Sequence, residues 1–498
     1  MPETAGTFDA IIAGAGPAGC AVAYDLARAG RRVLLLDKRN FPRPKACACG
    51  LTRKTLAALR YSVEPVIERV CHEIILQQKS GNPAHREVRV HTRNPICAMA
   101  VRERFDAFCL QQTLAAGANG GSVHFRKIDS IVALREFAIH IELDIAFTTG
   151  GATQTETLTA PVLIGADGSN GQTRRLAEAL ATSTLSSRPE TAHSAAVEKP
   201  AASFAKATAA NLPNDPAWYA RGFALEAMIP YTALPARLPQ GDQPGDLVFD
   251  FTPIVGGYGW LFPKGDHINI GVGGFVPRAD NDANNDRPHE KVTRTLLAEY
   301  TSEKLGVDIA AINAAITGQY LGLGGHNYIP RGRILLTGDA AGLVDPLTGE
   351  GIHSALISGQ AAAAAILEAV PSHTNLSSRP EATIQTLSSR PEAAGRSEET
   401  RNSRGTTPGG PSFPASSERV GSNAAAPATA LAAAYAARLQ PLQETLAFSH
   451  RAACSFYATP ERGFKVMRTP ILRSLVLKTY ADGLPHTKLL GALARRVA

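Results

Sequence analysis

The chain has 498 residues, 44% of them hydrophobic and 19% charged, which is enough apolar material for a sizeable core and excludes a wholly disordered chain. Seven cysteines over this length exclude a disulfide scaffold and point to a reducing, cytoplasmic setting. The net charge of +7 is local: residues 431–498 hold ten Lys and Arg against three acids, which suits an anionic partner or a solvated helical face and argues against a nucleic-acid partner.

From the N-terminus, eight residues lead straight into the apolar run Asp9-Ala-Ile-Ile-Ala13, without the basic start of a signal peptide. A strand over 10–13, a helix over 17–29 and a strand over 33–36 form a β-α-β unit and imply a parallel sheet. Helices follow over 52–60 and 103–116, and strands over 123–125, 139–145 and 162–164. Strands over 223–229, 247–251, 260–263 and 267–272 alternate or carry turn signals, which predicts an antiparallel sheet. A helix over 288–304 precedes a strand over 334–336, an Ala-rich buried helix over 351–369, and helices over 429–454 and 463–480. No uninterrupted apolar run reaches the ~18 residues of a membrane span.

Two stretches look foreign to a packed fold. The hexapeptide Leu-Ser-Ser-Arg-Pro-Glu begins at Leu185, Leu376 and Leu387, at irregular spacing, amid Ser, Pro, Gly and Arg. Such composition cannot bury enough surface to order itself, so 181–203 and 371–430 read as disordered insertions.

Gly14-Ala-Gly16-Pro17-Ala18-Gly19 follows the first strand and opens the first helix. The first glycine permits a tight turn, the second lets the backbone approach a pyrophosphate, and the third permits close helix packing. The helix N-terminus then offers free N–H groups to the phosphates. Asp37 ends the next strand, 21 residues after Gly16, where an acid binds an unphosphorylated ribose. Downstream, Asp167 sits in an Asp-Gly turn after a strand, Asp339 follows strand and glycine, and Gly349-Glu-Gly351-Ile352 opens the Ala-rich helix.

With these motifs in order from residue 10 to 369, the sequence resembles the FAD-dependent oxidoreductases of the aromatic hydroxylase-like superfamily. Phe41-Pro-Arg-Pro-Lys45-Ala-Cys47-Ala48-Cys49-Gly50-Leu51, Arg102-Glu-Arg-Phe105-Asp106 and the hairpin Gly257-Tyr258-Gly-Trp260-Leu-Phe262-Pro-Lys264 through Gly273 are similar to signatures of the geranylgeranyl reductase family. Ala48 stands where many members have Gly, and Cys49 is an added thiol.

The resemblance implies an α/β fold. A Rossmann-like FAD-binding domain (1–180 and 331–370) would be interleaved with an antiparallel-sheet substrate domain (204–330), followed by a basic helical region (431–498). It implies FAD held by Gly14, Gly16, Pro17, Ala18, Gly19, Asp37, Lys38, Cys47, Ala48, Gly50, Arg102, Ile128, Asp167, Asp339, Gly349, Gly351 and Ile352. Cys47 lies beside the flavin or substrate and is the catalytic candidate; its other reading is a small buried side chain. Tyr258, Trp260 and Phe262 are candidate substrate walls, and Trp218, Tyr219 and Phe223 are expected to join them unless all are simply core. Lys264 is expected in a hairpin turn, structural or reaching a headgroup.

Cys47-Ala-Cys49 is not metal-ligand spacing, and no metal is expected. No second dinucleotide fingerprint follows a strand, so NAD(P)H visits without its own domain or a small electron carrier reduces the flavin. The implied activity is reduction of C=C bonds in a prenyl chain on a lipid, quinone or chlorophyll-like substrate. The alternatives are an FAD monooxygenase or halogenase, and a flavin-binding, membrane-docking protein without turnover. Peripheral contact with the inner face of an anionic membrane fits the basic C-terminal helices, although packing against the catalytic domain is their first use.

Overall fold

The computed structural model describes residues 8–186, 218–238, 247–274, 292–372 and 426–483. The chain opens with β1 (Ala10–Ala13), α1 (Pro17–Arg28), β2 (Arg32–Asp37), β3 (Gly50–Thr52), α2 (Arg53–Ala58), β4 (Ile67–Cys71), β5 (Glu73–Gln77), β6 (Glu87–His91), β7 (Cys97–Ala100) and α3 (Arg102–Leu114). It continues with β8 (Ser122–Lys127), β9 (Ser130–Glu136), β10 (Ile141–Thr149), β11 (Ala152–Ala160), β12 (Leu163–Gly165) and α4 (Thr173–Ser186). Then come β13 (Ala220–Pro230), β14 (Leu247–Asp250), β15 (Gly257–Pro263), β16 (His267–Gly274), α5 (Arg294–Leu305), β17 (Ile316–Leu323), β18 (Ile334–Leu336), α6 (Ile352–Ala369), α7 (Ala426–Ala458), α8 (Pro460–Arg468) and α9 (Pro470–Asp482).

A parallel sheet, ordered β18-β12-β1-β2-β8, carries the first half of the site. Its central β1 is buried throughout and reads as an unbroken apolar run, as a strand covered on both faces must. Helix α6 crosses α1 closely because Gly359 has no side chain; a Cβ there would meet the Ala18 carbonyl and the Ala21 side chain. Helix α7 packs outside α6, and its buried Tyr435 donates to the Leu336 carbonyl at 2.7 Å.

The second large sheet runs β17-β13-β16-β15-β14-β5-β6 and is antiparallel except at the β14–β5 pair. Strand alternation sorts its faces. Leu225, Ala227, Ile229, Leu261, Ile270 and Val272 turn toward α5 in one core. Phe249, Tyr258, Trp260 and Phe262 lie on the other face, under α8 and α9.

The helix expected over 463–480 is two helices. Pro470 has no amide hydrogen and clashes with a preceding helical turn, so it ends α8 at Arg468 and takes the first position of α9. Both pack, with Phe464, Met467, Leu477 and Ala481 buried, while Val466 and Ile471 are exposed. The helix expected from 288 starts at Arg294, where the Thr293 hydroxyl accepts the Leu296 N–H at 3.1 Å. Helix α4 runs to Ser186, past the expected insertion boundary at 181; the rest of that insertion and residues 373–425 lie outside the described residues. No described helix is long and apolar enough to cross a membrane.

Candidate functional site

A cavity of about 940 Å³ lies between the C-terminal ends of β1, β2, β12 and β18 and the aromatic face of the second sheet. Open α/β sheets hold ligands at this edge. Gly14 makes the turn out of β1 with φ +110°, and a Cβ there would meet the Ala166 carbonyl. The Ala15 N–H donates to Asp37 Oδ2 at 2.9 Å and the Arg39 N–H to Asp37 Oδ1 at 2.9 Å, which fixes that carboxylate at the end of β2. Gly16 begins α1 and Gly351 begins α6, and neither start has a side-chain cap. Two helix N-termini with free N–H groups therefore face one cavity.

Of the proposed cofactor residues, Gly14, Gly16, Pro17, Ala18, Asp37, Lys38, Cys47, Ala48, Gly50, Arg102, Ile128, Asp167, Asp339, Gly349, Gly351 and Ile352 line this cavity. Gly19 does not. A Cβ on it would meet the Gly14 carbonyl, so its role is the close helix packing assigned to the third glycine. The carboxylate of Asp167 accepts the N–H groups of Gln172 at 2.6 Å and Thr173 at 3.0 Å, and thus serves the start of α4. Asp339 is held by its neighbours. Tyr219 donates to its carbonyl at 2.9 Å, and burial pushes its carboxyl up while Lys45 and Arg102 pull it down.

Arg102 opens α3 and is buried. Its Nε and Nη2 donate to Asp106 at 2.8 and 3.0 Å, and Arg43 Nη2 reaches the same carboxylate at 3.3 Å. Between this pair and the second sheet runs the loop of Cys47. The Cys47 N–H donates to Glu226 Oε1 at 2.8 Å, and the Cys49 N–H donates to Cys47 Sγ at 3.3 Å. The hydrogen bond from Cys49 draws the Cys47 thiol well below its ordinary value, with burial opposing and Arg102 assisting, while burial pushes the Cys49 thiol up.

Lys264 is not a surface residue. It is 1% exposed, its Nζ donates to the carbonyls of Ala48 and, at 2.9 Å, Ala100, and burial pushes its ammonium down. It clamps the cysteine loop to β7 instead of reaching a headgroup.

The expected aromatic wall divides in two. Tyr258, Trp260 and Phe262 line the cavity beside Phe249. Trp218, Tyr219 and Phe223 lie apart: Trp218 stacks near Tyr328, Tyr219 holds Asp339, and Phe223 meets Tyr320. Tyr480 of α9 adds a wall from the covering helices. At another margin Glu68, Asp266 and His267 bring ligand atoms within 4.8 Å of one another, with the Gly265 N–H on Glu68 at 3.1 Å and His267 on Asp266 at 2.6 Å.

A family model described as an FAD binding domain matches residues 7–213. The menaquinone reductase of Mycolicibacterium smegmatis is 28% identical over 371 residues, covering 71% of this chain and 75% of that one. The geranylgeranyl diphosphate reductase of Rhodobacter capsulatus is 26% identical over 361 residues, covering 72% and 75%. The chain is an FAD-dependent oxidoreductase, and its likeness to these two reductases covers about seven tenths of its length. A flavin-dependent brominase shares this flavoprotein's fold with a TM-score of 0.57 and 14% identity over 99% of each chain.

The residues present fit FAD. The uncapped starts of α1 and α6 supply N–H donors for anionic groups, and Gly14 and Gly16 leave the backbone bare where a side chain would stand.

The sequence did not single out Glu226 of β13, which is 3% exposed and lines the cavity of the flavoprotein. Burial raises its carboxyl from the ordinary 4.5 to about 7, assisted by the Cys47 charge. The folded state thus holds a proton that the unfolded state releases, and stability falls as pH rises from 4.5 through about 7. Replacing it with Gln removes this dependence. Urea midpoints of the two proteins are expected to agree near pH 4 and to diverge by about 3 kcal/mol in favour of E226Q by pH 8. Parallel curves across that range would refute the raised value.

Proposed function

We propose that this flavoprotein reduces C=C bonds in the prenyl chain of a lipid, quinone or chlorophyll-like substrate. The observation that carries the reading is the continuity of the cavity. It passes from the glycine turn and the Cys47 loop to a wall of Phe249, Tyr258, Trp260, Phe262 and Tyr480, the last contributed by α9. An isolated alkene reacts only when held against a hydride donor in a dry site, and aromatic walls under a helical cover supply both holding and dryness. Bound FAD supplies the hydride. The chain's residues would bind the cofactor's phosphates at the start of α1, face the pyrimidine side of the flavin with the start of α6, orient the alkene on the aromatic face and exclude water. Cys47 is proposed beside the reacting groups, its thiol drawn below its ordinary value by the Cys49 hydrogen bond. The names of the two relatives support the reading, since they are called reductases of a quinone and of a prenyl diphosphate.

The electron donor is proposed to be NAD(P)H or a small electron carrier. Exposed Val466 and Ile471 beside Lys465 and Lys478 support peripheral contact with an anionic membrane, where a prenylated substrate would reside.

Protein loaded with FAD, reduced by dithionite without oxygen and mixed with geranylgeranyl diphosphate or a prenylated menaquinone is expected to reoxidise its flavin. The product should gain two hydrogens per reduced bond by mass spectrometry. A product formed only with oxygen and carrying an added oxygen atom or halogen would favour the monooxygenase or halogenase alternative instead.

A further inference from the structure

We propose that Glu226 is the catalytic acid of this site, delivering a proton from its carboxyl to the alkene carbon that the hydride leaves untouched. The inference rests on the reductase reading and deepens it.

The placement comes from strand register. Glu226 pairs with Gly271 of β16, Gly271 pairs with Trp260 of β15, and Trp260 pairs with Phe249 of β14. These residues share the row that crosses the cavity face. Gly271 is the gap in it. A Cβ there would enter the Trp260 indole, so the ring lies over the glycine beside the acid. The carboxyl thus stands at the edge of an aromatic floor, within the same cavity as the cysteine loop.

Its partners leave it able to hold a proton. Oε1 accepts the Cys47 N–H at 2.8 Å, and Asn269 gives a second hydrogen bond. Asn269 is itself fixed by the Trp260 indole N–H at 2.6 Å. Among the described residues no Lys or Arg makes an ion pair with Glu226. The charged groups facing it are Cys47 from the loop and Lys264 from the end of β15, and Thr317 pairs with it from β17.

The neighbouring groups are committed elsewhere. Tyr258 donates to the Thr348 carbonyl, Trp260 to Asn269, and Lys264 to two carbonyls. The hydrogen bond from Cys49 draws the Cys47 thiol well below its ordinary value, which makes it the poorer proton donor, whereas burial raises the Glu226 carboxyl to about 7.

In the step, the O–H bond of Glu226 breaks as a C–H bond forms at one alkene carbon. FAD, when bound and reduced, would supply the hydride (two electrons and one proton) for the other C–H bond, the C=C π bond being broken as the two C–H bonds form. The carboxylate recovers its proton from water, and a nicotinamide or a small electron carrier is the ultimate electron donor.

The test uses FAD-loaded protein, reduced by dithionite without oxygen, with geranylgeranyl diphosphate and a prenylated menaquinone as probes. E226Q is expected to keep its FAD and accept electrons from dithionite, yet to lose about 100-fold or more in alkene-dependent flavin reoxidation. Wild-type rate should fall as pH rises through about 7, E226Q should lack that limb, and E226D should recover part of the rate. Without substrate, an infrared carboxylic-acid C=O band should titrate near the same pH and vanish in E226Q. An E226Q protein with the wild-type rate and pH limb overturns the donor role and leaves the reductase reading standing. Loss of FAD from E226Q also overturns it, marking a structural role. Absence of alkene-dependent reoxidation in the wild type removes the reductase reading itself, and the donor role with it.

Discussion

Protein carrying Gly14→Val is expected to purify colourless, with less than about a tenth of the wild-type FAD content. The turn out of β1 needs φ +110°, and a branched residue held there costs about 1–3 kcal/mol. The larger obstacle is space. The added Cβ would meet the carbonyl of Ala166, which follows β12, the parallel neighbour of β1. The Ala166 N–H is bonded to the Ala13 carbonyl at 2.7 Å and the Gly14 N–H to the Leu36 carbonyl at 2.7 Å, so the tips of β12, β1 and β2 must part together. That displacement moves Gly16 and the start of α1, where the cofactor's phosphates are proposed to sit. Absorbance near the flavin bands against total protein reads the result. A variant as yellow as the wild type would mean that this turn does not hold the cofactor.

The second large effect is expected from Arg102→Met. Arg102 is 6% and Asp106 1% exposed, and they form a bidentate pair within one helix turn. Removing the cation leaves Asp106 with Arg43 at 3.3 Å as its remaining ion-pair partner. Breaking a buried pair from one side costs about 3–5 kcal/mol, and the contact with Arg43 keeps the loss toward the lower end of that range. Urea denaturation should register that loss. Changing both, as R102M/D106L, should recover part of the stability, since the Asp106 charge is gone while Arg43 loses its ion pair. FAD affinity should stay low in the double variant if Arg102 contacts the cofactor. Recovery of both properties together would reduce Arg102 to a structural residue.

The cofactor half was legible because its chemistry demands particular residues at particular spacings. A tight turn, a bare backbone and a close helix crossing each call for glycine, and β1 and β2 are apolar enough to declare themselves. Strands β3 to β7, β9, β11 and β17 were missed. Strand β11, Ala-Thr-Gln-Thr-Glu-Thr-Leu-Thr-Ala, is an edge strand with a largely exposed face and offers little apolar alternation. Pro470 was visible, yet the apolar spacing on both sides of it suggested one helix.

Glu226 was hidden for a different reason. Within Phe223-Ala-Leu-Glu226-Ala-Met-Ile229 an isolated acid reads as the solvent side of a half-buried strand. Its burial comes from a loop about 180 residues earlier in the chain, which no local pattern discloses. Of the two readings the sequence left for Lys264, the partners decide for the structural one, since two distant carbonyls draw it inward.

Strands β5 and β6 come from the early part of the chain yet finish the sheet built by β13 to β17, through the parallel pairing of β14 with β5. The two halves of the molecule are therefore not interchangeable cassettes. A lineage cannot acquire a new preference by grafting a foreign module after residue 204, because the graft would lack its outer strands. A change of preference that keeps this frame is made by exchanging individual side chains on the floor and its helical roof.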